Sequence, residues 1–323
     1  MLLISSYNKY TGGHRQKILS MDFVIGGLAA SGACIFSNPF DVLKTRMQLQ
    51  GELRAKGEHS VHYRNVFHAA YVVVKNEGLR GVQKGLGVAM VLHGLRNCVR
   101  LGLYQTMEKK GFLTNSEGKT VFYKSAVASA FAGATGAFFG SPLFLIKTQL
   151  QSQAAKQIAV GHQHGHSGAL EAVRTIYLQH GILGLWRGVN GTMLRALVGS
   201  SSQLTTFALT KDKLRENEFL RQSTLLTSLI ASIFSGLIQT IMINPFDVVS
   251  TRLYNQEVDA NGKGVLYSGV SDCFRKIFKT EGLSGMYKGV VANYMRLAPH
   301  SLFCLLFWDI LKDLKKNYID ERR

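Results

Sequence analysis

The chain contains three long runs without a charged residue. They cover residues 23–40, 125–146 and 224–246 and are rich in glycine, alanine and serine. About 20 apolar residues in a helix cross the core of a bilayer, so each run predicts a membrane-spanning helix. Small residues let such helices approach closely where lipid supplies no hydrophobic drive for association.

A proline stands near the end of each run. Pro39, Pro142 and Pro245 are each separated by 103 residues, and acidic, basic or other side chains follow at fixed offsets. A proline inside a helix removes a backbone hydrogen-bond donor, so we expect these prolines to kink the three helices near their ends. A polar, basic connection is predicted after each one.

A second marker follows each proline. It consists of a polar residue with glycine and then a basic residue with glycine, and its copies are Glu77-Gly78 with Lys84-Gly85, His180-Gly181 with Arg187-Gly188, and Glu281-Gly282 with Lys288-Gly289. A short amphipathic segment precedes each marker, at residues 64–76, 168–179 and 268–280, and a second apolar stretch follows it, at residues 85–107, 188–210 and 289–308. Two markers in register three times indicate a threefold tandem repeat.

The predicted fold is an all-α membrane protein of three tandem repeats. Each repeat has two transmembrane helices with a short helix between them, and the connections within repeats share one side because they are rich in Lys and Arg. The predicted boundaries are an N-terminal extension (1–20), the repeats at 21–113, 121–216 and 223–316, and a C-terminal tail (317–323).

Composition favours a membrane protein over a nucleic-acid-binding one. The 323 residues are 46% hydrophobic with 33 glycines and four prolines, and the formal net charge is +18. That charge suits an anionic membrane surface or a nucleic acid, but the sequence has no basic stripe with interleaved aromatic residues and no nucleic-acid-binding motif. Residues 1–20 lack the apolar core of a secretory signal, which leaves a targeting arm or an upstream start as alternatives.

The cysteines and histidines predict neither a disulfide framework nor a structural metal. No CxxC and no zinc-type spacing joins the scattered residues Cys34, Cys98, Cys273 and Cys304. A solvated polar loop is the interpretation for His162, His164 and His166, with weak metal binding as the alternative. No cofactor is predicted.

Arginines interrupt the second apolar stretches. We aligned these stretches on the glycine that ends the second marker. The position seven residues on is Leu92, Arg195 and Arg296; one turn further it is Arg96, Gly199 and His300; the next turn gives Arg100, Gln203 and Cys304. A charge at membrane depth normally faces a bundle interior or a water-filled cavity, and none of these layers contains an acid. We therefore expect the arginines to bind an anion, with structural packing as the alternative.

With these features the chain resembles the mitochondrial carriers, the solute carrier 25 family, over about residues 21–316. The resemblance rests on three copies of both markers. Shorter pieces resemble the oxaloacetate-carrier branch of the family, and these are Met21-Asp-Phe, Met47–Leu53, Ile158–His162, Val198–Ser201, Thr251–Gln256 and Phe307-Trp-Asp309.

The resemblance implies a six-helix, pseudo-threefold barrel around a central cavity. Such a protein is a multi-pass transporter of the mitochondrial inner membrane that works by alternating access, and it is not an enzyme. It implies a monomer with cardiolipin at the matrix-side helix ends. The substrate site is implied at Arg96, Arg100, Arg195, Ala196, Arg296 and His300. An arginine followed by a small residue, as at Arg195, is similar to carboxylate and keto-acid carriers and unlike nucleotide carriers.

The resemblance also implies a matrix gate in which the acid of one repeat pairs with the base of the next. The positions after the prolines are Asp41 and Lys44, Phe144 and Lys147, and Asp247 and Ser250. In that direction Asp41 meets Lys147, Asp247 meets Lys44, and Phe144 meets Ser250. The opposite direction leaves two buried charges alone at about 3–5 kcal/mol each, so the first direction is predicted. The equivalent positions just beyond these pairs are Gln48, Gln151 and Tyr254.

The cytoplasmic gate of the family is incomplete in this sequence. The family pattern is an aromatic residue, an acid and, three residues later, a base near the end of each second helix. Trp308-Asp309 with Lys312 obeys it, whereas Phe207 with Lys211 lacks the acid and Tyr104 with Glu108 carries an acid where the base belongs.

The predicted function is transport of a small anion. A di- or keto-carboxylate such as oxaloacetate is the first candidate substrate, and a sulfate-type oxyanion is the alternative. Two other classes stay open at this point. One is a membrane enzyme that uses arginine and His300 on a phosphate ester, although the sequence offers no nucleophile with a base at defined spacing. The other is a proton or anion leak pathway.

Overall fold

The computed structural model describes residues 15–54, 61–113, 121–214, 216, 224–259 and 262–320. Most of the predicted N-terminal extension and the last three residues of the tail lie outside these ranges. Within them the chain forms nine α-helices: α1 (Arg15–Leu49), α2 (Val66–Gly81), α3 (Leu86–Lys109), α4 (Phe122–Ser152), α5 (Ala169–Leu185), α6 (Val189–Leu214), α7 (Thr224–Asn255), α8 (Val270–Met286) and α9 (Val290–Asp320). A 3-10 turn at Lys156–Ile158 follows α4.

The six long helices form a closed ring. Around it each helix contacts the next in the order α1, α3, α4, α6, α7 and α9, and α9 returns to α1. The contact between α7 and α9 is thinner than the corresponding contacts in the first two repeats. By length and composition, α4, residues 226–255 of α7 and residues 290–315 of α9 are suited to crossing a membrane. The predicted all-α fold is confirmed.

The first helix of each repeat runs past its proline. Each of α1, α4 and α7 continues for ten residues beyond Pro39, Pro142 or Pro245. The predicted polar connection after the proline is therefore wrong, because those residues are the last turns of the helix. A proline removes only one backbone donor, and neighbouring helices can compensate for it. The kink itself stays a prediction.

The ends of α1, α4 and α7 beyond the prolines, which we call the proline end, form the packed part of the molecule. Residues 144–152 and 247–256 are buried throughout, and only Met47 is partly exposed among residues 41–50. By contrast, residues 105–109 of α3, 207–214 of α6 and 309–315 of α9 are half-buried or exposed. The ring is thus sealed at one end and loosely packed at the other.

A short helix supports each first helix at the proline end. On α2 the residues Val66, Ala69 and Val73 pack against Leu43 and Leu49 of α1, and equivalent apolar clusters join α5 to α4 and α8 to α7. The three short helices bend at Gly78, Gly181 and Gly282, where φ is +68°, +65° and +67°. Glycine adopts this left-handed conformation without the steric cost that other residues bear.

Candidate functional site

Two buried ion pairs join the first helices at the proline end. The Lys147 ammonium lies 2.5 Å from Asp41 Oδ2, and the Lys44 ammonium lies 2.8 Å from Asp247 Oδ2. All four residues are at most 4% exposed. These are the two pairs that follow from the predicted direction of pairing. Their role as a gate stays a prediction.

The third acid position is occupied by a phenylalanine with apolar neighbours. Phe144 shares a buried cluster with Leu92 of α3 and with Tyr254 of α7, whose ring centroid lies 5.3 Å away. The cations of Lys147 and Arg195 lie 5.2 Å and 5.3 Å from the Phe144 ring centroid, within the range of cation–π attraction. The aromatic ring thus borders two cations without carrying a charge.

The predicted partner of Phe144, Ser250, satisfies its own hydroxyl locally. Its Oγ donates to the Phe246 carbonyl, 2.7 Å away and one turn earlier on α7. Ser250 therefore brings neither a charge nor an unused donor to this position.

Three polar side chains brace the helices one turn beyond the ion pairs. Gln48 donates to Asp247 Oδ2 at 3.0 Å, Gln151 donates to Asn38 Oδ1 at 3.0 Å, and the Tyr254 hydroxyl contacts Ser141 Oγ at 2.8 Å. Each of these braces joins the first helices of two different repeats. The sequence placed these residues beside the gate but did not show what they hold.

The glycine that ends the second marker makes room for these braces. Gly85, Gly188 and Gly289 have φ between +71° and +81°, and a Cβ there would lie 3.1–3.2 Å from the side chains of Gln151, Tyr254 and Gln48. A larger residue would be strained by the backbone and crowded by the brace. The marker is therefore part of the closed end.

A buried arginine–glutamate network, which the sequence reading missed, lies behind the braces in two repeats. Arg46 donates to both carboxylate oxygens of Glu77 at 2.8 Å and 2.9 Å, and Lys84 lies 2.8 Å from the same carboxylate. Burial alone would raise the pKa of Glu77, but hydrogen bonds from Arg46 and Lys84 lower that pKa to about 2.

The third repeat repeats this network with Arg252, Glu281 and Lys288. Burial opposes ionisation of Glu281 too, yet the hydrogen bonds from Arg252 and Lys288 lower its pKa. In the second repeat Gln149 and His180 replace the arginine and the acid. The repeat spacing could have revealed the network, because both arginines and both glutamates occupy equivalent positions.

Arg195 and Arg296 lie beside the gate carboxylates. Arg195 NH1 is 3.4 Å from Asp247 Oδ1, and Arg296 Nε is 3.6 Å from Asp41 Oδ1. The expectation that these arginines have no acidic partner is therefore wrong. The sequence alignment compared second helices only with one another, whereas each carboxylate comes from the first helix that follows in the ring.

Three equivalent centres result, and only two of them are charged. The Asp41 centre contains Asp41, Lys147 and Arg296, and the Asp247 centre contains Asp247, Lys44 and Arg195. In the Phe144 centre the acid position holds Phe144, the arginine position holds Leu92 and the base position is Ser250, while Tyr254 packs against Phe144 and Leu92. Thus, in the centre where Phe144 replaces the acid, Leu92 replaces the arginine.

The two charged centres hold more positive than negative charge. Four cations face two carboxylates, which leaves an excess of two positive charges at these residues. Buried atoms also lack hydrogen bonds there among the described residues, namely Arg195 Nε, Arg296 Nε and Asp247 Oδ1. A buried excess of positive charge is costly, so the two extra cations and the unused Nε donors of Arg195 and Arg296 favour an anionic ligand.

The two arginines of α3 differ in their surroundings. Arg96 is half-buried, packs against Gly136 and Gly140 of α4, and lies within electrostatic range of Arg195 and Arg296. Arg100 is exposed at its surface and lies near Cys304. The structure thus brings Arg96, but not Arg100, within electrostatic range of Arg195 and Arg296.

His300 and Ala196 occupy different sides of the ring. The His300 Nδ1 atom lies 3.2 Å from Ser37 Oγ on α1, and its ring centroid is 4.8 Å from that of His93. The Ala196 carbonyl faces Gly133 where α6 packs on α4. The substrate roles of both residues stay predictions.

The predicted cytoplasmic gate is not joined by ion pairs in the part of the chain that the structure describes. Glu108 and Asp309 are exposed. The ammonium groups of Lys211 and Lys312 instead lie 5.7 Å and 4.8 Å from the ring centroids of Phe207 and Trp308. This end therefore lacks the closed arrangement of the proline end.

The three loop histidines pack on the closed end. The rings of His162 and His164 are 4.6 Å apart, and the His164 ring nitrogen lies 3.1 Å from the Asn255 carbonyl. Burial lowers the pKa of His164 to about 3. Among the described residues, the one group with metal-ligand geometry is a different one, Cys34 with His93 and His300.

The comparisons with known proteins agree with this architecture. The mitochondrial carrier protein family model matches residues 16–115, 118–218 and 221–318. Solute carrier family 25 member 35 of Homo sapiens is 49% identical over 294 residues, which cover 91% of this chain and 98% of that protein. The mitochondrial oxaloacetate transport protein of Saccharomyces cerevisiae is 39% identical, covering 95% and 93%, and the mitochondrial citrate transporter E of Aspergillus niger is 38% identical, covering 88% and 89%.

These matches confirm the resemblance that the repeat markers indicated. They extend over nearly the whole chain, and the three matched segments correspond to the three pairs of long helices. Members of this family are transporters and not enzymes. The chain belongs to the mitochondrial carrier family, whose members are multi-pass transporters of small molecules in the mitochondrial inner membrane.

Proposed function

We propose that the protein transports a small dianionic carboxylate, a di- or keto-carboxylate such as oxaloacetate, by alternating access. The observation that carries the proposal is the excess of two positive charges at the Asp41 and Asp247 centres. A dianion would balance this excess, whereas a neutral substrate would leave it in place.

Arg195 and Arg296 are the first candidates for contacts with the substrate. Each has a guanidinium atom without a hydrogen bond, and each lies at 3.4–3.6 Å from a gate carboxylate rather than in a tight bidentate pair. A guanidinium can offer a planar fork to a second carboxylate. Arg96 completes the site in this proposal, since it lies within electrostatic range of both Arg195 and Arg296, whereas Arg100 does not.

The gates fit the same mechanism. The Asp41–Lys147 and Asp247–Lys44 pairs, with Gln48, Gln151 and Tyr254 beyond them, hold the matrix side shut. Glu108, Lys211, Asp309 and Lys312 form the cytoplasmic gate and are apart in this conformation. The structure would then correspond to the state that receives substrate from the cytoplasmic side.

The proposed function includes two further proposals, one on the oligomeric state and one on lipid binding. We infer that the carrier works as a monomer and binds cardiolipin at the matrix-side helix ends. A groove between the beginnings of α6 and α8, bordered by Asn190, Gly269 and Arg275, supports the second. A helix N-terminus and an arginine offer donors to a lipid phosphate.

The test is a substrate screen in liposomes. Purified protein is reconstituted, and initial uptake of oxaloacetate, other dicarboxylates, citrate, sulfate and nucleotides is compared, with and without unlabelled substrate inside. We expect the highest rates for dicarboxylates and keto acids. Preference for sulfate would establish the alternative substrate. Uptake of every anion without stimulation by internal substrate would indicate a leak pathway instead.

A further inference from the structure

Three potential metal ligands from three different helices converge on one side of the ring. Cys34 lies on α1, His93 on α3 and His300 on α9, and their ligand atoms all lie within 4.8 Å of one another. The residues are 59 and 207 positions apart in the chain, so no sequence motif announces them.

Hydrogen bonds orient Cys34 and His300 within this cluster. The Cys34 thiol is 1% exposed and donates to the Ala30 carbonyl at 3.2 Å. Ser37 lies 3.2 Å from Nδ1 of His300, which leaves the other ring nitrogen for a ligand. A hydrogen bond to one nitrogen of a metal-binding histidine typically fixes the orientation of its ring.

The cluster is not a feature of the threefold repeat. The equivalent positions at the other two interfaces are Ala137, Ala196 and Arg96 at one, and Thr240, Leu297 and Gly199 at the other. Helix packing at these interfaces therefore needs neither sulfur nor imidazole. The combination of one cysteine and two histidines is therefore specific to the α1–α3–α9 interface, and helix packing alone does not explain it.

We propose that Cys34, His93 and His300 bind a thiophilic metal ion such as zinc or copper(I), and that the ion holds the carrier in its matrix-closed state. One thiolate and two imidazoles form a ligand set that suits these metals, and three protein ligands leave a fourth position for water or a carboxylate.

The charges nearby select among cations. Both histidines lie within electrostatic range of Lys147 and Arg96, and His300 also lies within range of Arg296; these three cations oppose a bound cation, whereas Asp41 favours it. A metal that binds with loss of the Cys34 proton gains a thiolate charge to offset its own. Hard cations such as magnesium gain no comparable bond and are excluded.

The position of the ligands gives the metal its effect. Alternating access requires the helices of the ring to change their contacts. An ion shared by α1, α3 and α9 stabilises only the conformation in which the three ligands meet. Metal binding should therefore slow transport.

Cobalt(II) provides a direct test because a thiolate ligand gives it a near-ultraviolet charge-transfer absorption. Titration of the purified full chain should reveal one thiolate-dependent site. Cys34→Ser should abolish the absorption, and His93→Ala should weaken binding by about tenfold or more. Cys304→Ser, one turn beyond His300, is the matched control and should leave binding unchanged. Persistence of the absorption in Cys34→Ser, or its loss in Cys304→Ser alone, would overturn the site.

Thermal unfolding and transport complete the test. Zinc should raise the unfolding midpoint of the wild type and of Cys304→Ser, but not of Cys34→Ser, whose metal-free midpoint checks its folding. Zinc should also inhibit uptake by the wild type and spare His93→Ala. Binding without any effect on uptake would overturn the proposed clamp. The absorption and the midpoint need no substrate, so they are independent of the proposed function.

Discussion

The Asp41 and Asp247 centres differ from the Phe144 centre in every charged position. Each of the first two combines a carboxylate, a lysine and an arginine from three helices, whereas the third has phenylalanine at the acid position, serine at the lysine position and leucine at the arginine position. The difference teaches that these charges occur as complete sets. Removing one member of a buried set leaves its partners unpaired at about 3–5 kcal/mol, while removing all members avoids this cost.

The largest expected effect comes from removing an arginine of a charged centre. Arg296→Ala or Arg195→Ala should reduce initial uptake by about 30-fold or more, because a substrate carboxylate would lose a charged, buried partner. The carboxylates keep their lysine partners, so the proteins should remain folded. Uptake by Arg296→Ala close to the wild-type rate would show that the anion binds elsewhere.

The next largest effect comes from breaking an ion pair. Asp41→Asn leaves Lys147 and Arg296 without their carboxylate, so the matrix-closed state should lose about 3–5 kcal/mol. We expect a lower unfolding midpoint and slower uptake.

The exchanged pair, Asp41→Lys with Lys147→Asp, should recover part of the activity that either single change loses. Recovery should be incomplete because the lysine at position 41 would lie beside the Arg296 guanidinium and be repelled by it. The sequence alone did not reveal this contact between positions 41 and 296. If the double variant were no more active than the single variants, the two residues would not act as a pair.

A charge set can also be built at the Phe144 centre. Phe144→Asp alone should impair uptake, since the new carboxylate has no base at position 250 and would compete with Asp41 and Asp247 for the nearby cations of Lys147 and Arg195. Adding Ser250→Lys should restore stability and slow opening of the matrix side. Initial rates of the four variants at these positions give the coupling, and strictly additive effects would show that positions 144 and 250 do not meet.

Arg96 provides a finer probe because it is the cation one turn from Leu92. Arg96→Lys keeps the charge but loses the planar fork, so the apparent affinity for substrate should fall, by about tenfold. Arg100→Lys is the matched control on the same helix and should change affinity little. Equal affinities for both variants would remove α3 from the proposed site.

The smallest effect concerns acid stability. The pKa of Glu77 is about 2 in the folded chain and 4.5 in its ordinary state, so its contribution is complete above about pH 4.5 and disappears as the pH falls towards 2. The second repeat has His180 in place of an acid at this position. Midpoints measured across this range should fall less steeply for Glu77→Gln, which begins from lower stability.

The sequence revealed those parts of the molecule that repeat. The spacing of the prolines predicted three helix pairs, and the requirement to pair buried charges predicted which aspartate meets which lysine. It failed where contacts cross between helices of different kinds, as for Arg296 with Asp41. Aligning equivalent helices compares positions that symmetry places far apart.

Helix extents and the metal-ligand cluster were beyond the sequence for other reasons. The residues after Pro39 are polar, as in a loop, yet they form helix because their side chains bind neighbouring helices rather than water. Cys34, His93 and His300 carry no periodic signal, and only the folded ring brings them together.

The Phe144 centre also constrains which substitutions a carrier of this kind can accept during evolution. Leu92 belongs to the first repeat, Phe144 to the second and Tyr254 to the third, so an alignment of repeats presents them as three separate replacements. In space they form one cluster, so a charge introduced at one of these positions would contact the apolar side chains at the other two. We expect these positions to covary among related carriers, with lineages inheriting the charged or the apolar neighbourhood as a block.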